Sequence, residues 1–314
     1  MAEMLKKATR DSFGEAVTEL AAEYPGIVVL DADLAAATKT GIFKKAYPDR
    51  FFDCGIAESN MVGIAAGLAT CGKIPFAASF AMFAAGRAFE QVRNSVGYPH
   101  LNVKIAGSHA GISVGEDGAT HQCCEDIALM RTIPGMVVLN PSDHYEMKAA
   151  VRAMVEHNGP CYIRLGRLAV ETINHNDDYK FELGKGITLR EGTDISIIAT
   201  GLMVQEAAKA AEILAAEGIS AEVINIHTIK PIDEELIVAT AKKTGCVVTA
   251  EEHNVIGGLG EAVAAVLSEK CPTPVTRIGV NDVFGHSGPA LDLLKEFGLT
   301  ADHIVEVVKN KLGK

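Results

Sequence analysis

Short apolar runs alternate with stretches of helical period along most of the chain. Residues 27–31 (IVVLD), 73–78, 102–106, 136–139 and 161–164 are brief, apolar and bounded by turn residues, and they read as buried strands. Between them, 58–71, 82–97, 123–131 and 143–157 carry apolar residues at helical spacing. Strands that alternate with helices predict a parallel sheet with helices on both faces. The pattern stops at 168–192 (LAVETINHNDDYKFELGKGITLREG), which is polar, has no steady period and reads as a surface linker. It then restarts. Residues 194–200 read as a strand and 202–217 as a helix, with Gly218 just past its end as a stop. A strand at 220–226, a helix opening at Asp233 after Pro231, a strand at 245–250, a helix at 259–270, a strand at 275–279 and two short helices complete the set. The expected architecture is α/β, with two doubly wound domains at 1–167 and 193–314 and a linker at 168–192. No short internal repeat is visible.

Composition narrows the class. With 314 residues, 48% hydrophobic and 22% charged, the chain has room for two domains with sizeable cores. Net charge is −11 and the lysines and arginines are scattered, which argues against nucleic-acid binding. No apolar run approaches the ~18 residues of a membrane span. The start, MAEMLKKATR, is charged rather than signal-like. Seven cysteines, an odd number without metal-ligand spacing, sit mostly in apolar runs. They read as free thiols in a reducing cytoplasm.

The densest chemistry lies at 109–122 (HAGISVGEDGATHQ), where two histidines, two acids and three glycines follow a buried strand. Gly111, Gly115 and Gly118 break helix and strand patterns, so the segment is expected outside the core. Its glycines would let the backbone approach a ligand, with His109, Asp117 and His121 as donors, acceptors and proton carriers. Glu58 opens a helix just after an aromatic strand that ends at Asp53. It is either a complement to the helix dipole or a carboxylate in a cleft. Phe80 and Phe83, three apart, are either core or a platform for a flat heterocycle. Arg87 and Arg93 follow on the same helix. Arg164 and Arg167 close a strand and suit phosphate, or else a structural ion pair; Arg10 opens a helix. His253, in a Glu-Glu-His-Asn run at another strand end, reads as structural. The candidates of the first half share one trait: strand ends place them on one edge of a sheet.

Taken together these motifs resemble transketolase. GIAES at 55–59, PFAASFAMF at 75–83, GSHAGISVGEDGATHQ at 107–122 and IRLGR at 163–167 look like its pyrimidine-binding domain. TGLMVQEAAKAA and EEHNVIGGLGEAV look like its C-terminal domain. The N-terminal mark of the family, G-D-G followed by paired asparagines, does not occur, so the chain resembles the C-terminal subunit of a split transketolase. The resemblance implies a separate N-terminal subunit carrying that mark, an α2β2 assembly, and thiamine diphosphate shared between subunits. Magnesium or calcium would be held by the partner. It implies that Glu58 shares a proton with a ring nitrogen of the aminopyrimidine and that Phe83 stacks on that ring beside Phe80. His109, His121 and Asp117 would contact substrate, and Arg10 and Arg167 would hold a sugar phosphate. The implied reaction is transfer of a two-carbon ketol unit from a ketose phosphate to an aldose phosphate. The sequence departs from the family pattern where a serine near the phosphate falls at about Ala37, with Thr38 or Thr40 as substitutes. A pocket tyrosine is replaced by Gly86, and Ala57 and Ser59 flank the glutamate. A 1-deoxyxylulose-5-phosphate synthase, a 2-oxo acid dehydrogenase β-subunit and a non-catalytic partner protein remain open alternatives.

Overall fold

The structure, a computed structural model, describes residues 6–173 and 179–314. Its strands are β1 Lys6–Ala8, β2 Ile27–Asp31, β3 Phe51–Asp53, β4 Ile74–Phe80, β5 Lys104–Ser108, β6 Val137–Leu139, β7 Cys161–Arg164, β8 Ala169–Glu171, β9 Ile187–Arg190, β10 Ile195–Ala199, β11 Ala221–Asn225, β12 Thr228–Lys230, β13 Val247–Asn254 and β14 Val275–Val280. The first sheet runs β12-β6-β7-β5-β4-β2-β3 and the second β14-β13-β10-β11-β9. Both are parallel apart from one antiparallel edge strand each, β12 on β6 and β9 on β11. The chain is thus two doubly wound α/β units.

Strands such as β2 and β10 are buried along their whole length because helices cover both faces of each sheet. On one face of the first sheet, Phe13, Val17 and Leu20 of helix Thr9–Glu23 meet Val151 and Met154 of helix His144–Glu156 over Ile27, Val29 and Phe76. That second helix is capped by Asp143, whose carboxylate accepts from the Glu146 amide at 3.0 Å. On the other face one apolar cluster continues across the units, from Leu30, Met61 and Ile105 to Ile224, Ile229 and Val263. Each fully buried aliphatic side chain contributes roughly 1.5–3 kcal/mol, so this shared core fixes the two units against each other.

Four strands are absent from the sequence reading: β1, β8, β9 and β12. Two of them fall within 168–192, so the segment expected as a surface linker contributes β8, paired to β1, and β9, the edge of the second sheet. Residues 174–178 of that segment lie outside the described residues. β12 lies beyond residue 193 yet completes the first sheet. All four are short antiparallel edge pieces, for which no alternation longer than a few residues exists to read. The helix expected over 82–97 is present but widened at Met82–Arg87 and Val92–Gly97 into π-type turns.

Candidate functional site

β2 and β4 are neighbours, but the chain leaves β2 toward β3 on one side and β4 toward β5 on the other. Such a reversal opens a crevice beyond the carboxyl ends of the strands. A cavity of about 430 Å³ lies there, lined by Ala32, Asp33 and Leu34 after β2, Ile56 and Glu58 after β3, Phe83 and Arg87 after β4, and Thr120 and His121 after β5. Asp53, the last residue of β3, turns the chain into it by accepting from the amides of Gly55 (3.0 Å) and Asp33 (3.1 Å). Helix Glu58–Thr70 then begins at Glu58, and its positive end favours the carboxylate. Glu58 is only 1% exposed. Its partner is Arg87, whose Nη1 donates to Oε2 at 2.9 Å and Oε1 at 3.1 Å. The Arg87 guanidinium also lies over the Phe83 ring, 4.4 Å from its centroid. Phe80 runs parallel to Phe83 at 6.0 Å, and the His121 ring meets Phe83 edge-on at 5.3 Å.

His109 sits beside this pocket in a left-handed backbone conformation (φ 56°), a strained geometry that clusters at functional sites. Its ring stacks on Phe80 at 3.9 Å. Arg10 Nη1 lies 2.8 Å from Nε2, and Ser108 Oγ lies 2.8 Å from Nδ1. Since the guanidinium can only donate, Nε2 accepts and the ring proton is on Nδ1, donated to Ser108. Burial pushes the His109 pKa down to about 3, helped by the charges of Arg10, Arg167 and Lys39 and by His121. His109 is therefore a neutral, buried ring that orients Arg10. The second bond of Arg10 Nη1 goes to the Ala37 carbonyl at 3.1 Å. Arg167 donates through Nη1 to Val114 O and to Glu116 Oε2 (2.7 Å). Asp117 is exposed at the end of the 3₁₀ turn Ile112–Asp117, and His121 is half-buried, its Nδ1 2.9 Å from Thr120 Oγ1. Arg10, Lys39 and Arg167 surround His109 with positive charge in an otherwise acidic protein.

Several sequence expectations need correction. The segment 109–122 is not a surface loop throughout: Ile112 and Val114 are fully buried, and Ile112 belongs to the apolar core of the second unit with Ile195, Val280 and Leu293. Two of its glycines are required by that packing. A Cβ on Gly111 (φ +83°) would lie 2.3 Å from Glu252 Oε1, and one on Gly118 (φ +74°) 2.5 Å from Ser287 Oγ. Arg164 is not available to a phosphate. It is buried and donates through Nε to Asp126 (3.0 and 3.2 Å) and through Nη2 to the carbonyls of Cys123 (3.2 Å) and Glu252 (2.7 Å). Thr38 and Thr40 do not replace the family serine, because both hydroxyls donate to Asp31 Oδ2 at 2.7 and 2.8 Å. Arg93 points away and bonds Asn94 on the surface.

The structure gathers Glu58, Phe83 and His121 around one cavity and brings Phe80, His109 and Arg10 against its side. Sequence reasoning missed Asp33, Thr120 and Lys39, and it saw Arg87 without its partner. Arg87 four residues after Phe83, on one helix, was the signal for the cation–π contact. Among the described residues no group of three or more His, Cys, Asp or Glu is placed to hold a metal ion. No described helix is long and apolar enough to cross a membrane.

Comparison with known proteins identifies the frame of this site. The family described as "Transketolase, pyrimidine binding domain" matches residues 6–172, and "Transketolase, C-terminal domain" matches 184–304. A putative transketolase C-terminal section from Methanocaldococcus jannaschii is 53% identical over 310 residues, covering 98% of this chain and 97% of that protein. A 6-deoxy-6-sulfo-D-fructose transketolase subunit from Clostridium sp. is 50% identical over 296 residues, covering 94% and 92%. A solved structure described as "Split gene transketolase, inactive beta4 tetramer" superposes with a TM-score of 0.91 at 55% identity, covering 98% of this chain and 99% of its own. Membership implies thiamine diphosphate as the cofactor. The chain belongs to the transketolase family and, within it, to the C-terminal subunits of the split enzymes.

Proposed function

We propose that this chain supplies the aminopyrimidine and sugar half of a transketolase site that transfers a two-carbon ketol unit from a ketose to an aldose. The observation that carries the reading is the pairing of a buried carboxylate, Glu58, with an aromatic face, Phe83, on one cavity beside a cationic cluster. The residues fit the aminopyrimidine end of thiamine diphosphate: a flat ring can lie on Phe83 while a ring nitrogen meets Glu58. Bound there, thiamine diphosphate supplies the nucleophilic carbon and the electron sink for carbon–carbon cleavage. Glu58 holds and returns a proton through one carboxylate oxygen. Phe83, backed by Phe80, fixes the plane of the ring. His121, half-buried at the rim, bonds a substrate hydroxyl, and Asp117 reads a second one. Arg10 and Arg167 bind the terminal oxyanion, with His109 keeping the Arg10 fork in place and Lys39 adding charge. The relative that acts on a sulfosugar supports a substrate ending in a tetrahedral oxyanion, phosphate or sulfonate.

The pyrophosphate and metal end of the cofactor falls to a separate N-terminal subunit in this reading, and the working assembly is α2β2. The relative described as a split gene transketolase, inactive beta4 tetramer, supports self-association of this chain and a separate partner subunit. In this reading the two units act together, the first completed by Thr228–Lys230 and the second edged by Ile187–Arg190 from within 168–192. The test is reconstitution with the N-terminal subunit and an assay of ketol transfer from xylulose 5-phosphate to ribose 5-phosphate. Ketol transfer, absent from either subunit alone, is the expected result. Oxidative decarboxylation of pyruvate by the same complex, without ketol transfer, would overturn the assignment.

A further inference from the structure

Arg87 already occupies both surfaces that the proposed function gives to the aminopyrimidine. Its Nη1 fills both oxygens of Glu58, and its guanidinium plane covers Phe83. A guanidinium is flat and delocalised with N–H groups at its edge, so to these two residues it presents what an aminopyrimidine presents once its ring nitrogen carries the proton shared with Glu58. For Glu58 to share a proton with a ring nitrogen, one of its oxygens must be vacated. For a heterocycle to lie on that face of Phe83, the guanidinium must leave it. The Arg87 side chain makes no other hydrogen bond among the described residues and is 51% exposed. It also borders a second cavity of about 760 Å³, lined by Met82, Gly86, Thr120 and Phe284, into which its side chain can turn. Gly86 adds no side chain to obstruct that path.

We propose that Arg87 is a built-in stand-in for the aminopyrimidine: in the free chain it closes the Glu58–Phe83 pair, and the heterocycle binds only after displacing it. This rests on the reading of Glu58 and Phe83 given above and adds a regulatory contact to it. Glu58 is buried and needs a partner, so it gives up Arg87 when a ring nitrogen arrives and takes it back when the ring leaves. Arg87 therefore keeps the buried carboxylate satisfied while the partner subunit and cofactor are absent. It also reduces the apparent affinity for the heterocycle to the intrinsic affinity multiplied by the fraction of time Arg87 spends away.

The test is calorimetric titration of the full chain with 4-amino-5-hydroxymethyl-2-methylpyrimidine, an aminopyrimidine that lacks the diphosphate. Arg87→Ala is expected to bind it about tenfold more tightly than the unmodified chain. Adding Phe83→Ala to Arg87→Ala is expected to abolish the gain. Should the alanine variant fail to fold, as judged by thermal melting, Arg87→Met keeps the aliphatic stem and removes the fork. Equal or weaker binding by the Arg87 variants overturns the proposal. If Phe83→Ala alone still weakens binding in that case, the assignment of the aminopyrimidine surface survives. No binding by any variant overturns the proposal, because the open form is then no better a receptor. A gain that persists with Phe83→Ala overturns it as well, and the site assignment with it.

Discussion

In the first sheet β3 and β5 lead to Glu58 and His109; in the second, β13 ends in Glu251, Glu252 and His253. Both sets are titratable residues at the carboxyl edge of a parallel sheet, yet their surroundings differ. Glu251 accepts from the amides of Leu259 (2.6 Å) and Gly260 (2.8 Å), at the start of helix Leu259–Lys270. Glu252 accepts from the Ser113 amide at 2.7 Å, reaching across to the first unit. His253 Nδ1 lies 2.7 Å from the Asn254 carbonyl oxygen, and its Nε2 accepts from the Ala128 amide at 3.3 Å. Burial pushes the carboxyls of Glu251 and Glu252 up, and the backbone amides and Arg164 oppose it. Glu58, by contrast, has one half-exposed and replaceable partner, and Asp117 and His121 face the cavity mouth or solvent. A charged strand end is a site when its hydrogen-bonding capacity is held by something that can leave. It is a clamp when backbone holds it.

That contrast can be broken at either end. The largest expected effect is Glu58→Ala in the reconstituted complex, with a loss of about 10³ or more in turnover and little change in melting temperature. Near-normal turnover would remove Glu58 from the chemistry. On the clamp side, Asp126→Ala strands the Arg164 charge in the interior. It should cost about 3–5 kcal/mol in urea denaturation, against which a loss below about 1 kcal/mol would count decisively.

His109 offers an intermediate test through pH. Its folded pKa lies near 3, below the ordinary 6.5, so the unfolded chain takes up the proton first. The stability tied to its neutral form is present above pH 6.5 and is lost as pH falls toward 3. His109→Gln should flatten that acid limb by on the order of 1–3 kcal/mol, measured by denaturation at pH 7 and pH 4. An unchanged slope would show that the ring is not held neutral. The smallest effect is expected at Asp117→Asn, a rise of about three- to tenfold in the KM for sugar with kcat and cofactor affinity nearly constant. A fall in kcat alone would move Asp117 from recognising substrate to the reaction itself.

Much of this was legible in the chain, for identifiable reasons. β3, β4 and β7 are short runs with sharp ends, and those ends located Glu58, Phe83 and Arg167 on one edge. β12 was not legible, because its pairing partner lies about ninety residues earlier and its three residues carry no period of their own. The glycines of 109–122 were visible, but their cause was not. Glu252 and Ser287, which forbid a Cβ at Gly111 and Gly118, are more than a hundred residues away. Arg164 and Arg167 look alike in Arg-Leu-Gly-Arg. Strand geometry sends the first to Asp126 and leaves the second at the rim. Which of two neighbouring arginines is spent on the interior is a property of the packed structure.

The strand Thr228–Lys230 has a practical consequence for anyone who wishes to handle the first unit alone. A chain ended at residue 192 would lose the antiparallel cover on Val137–Leu139 and expose an unpaired, fully buried-type edge of Val and Leu. It would also lose the shelter of Ile112 and the contact that holds Ser113. Such a fragment should self-associate through its open edge. A soluble stand-alone pyrimidine-binding fragment would need that three-residue strand supplied from elsewhere, as a peptide or a grafted hairpin.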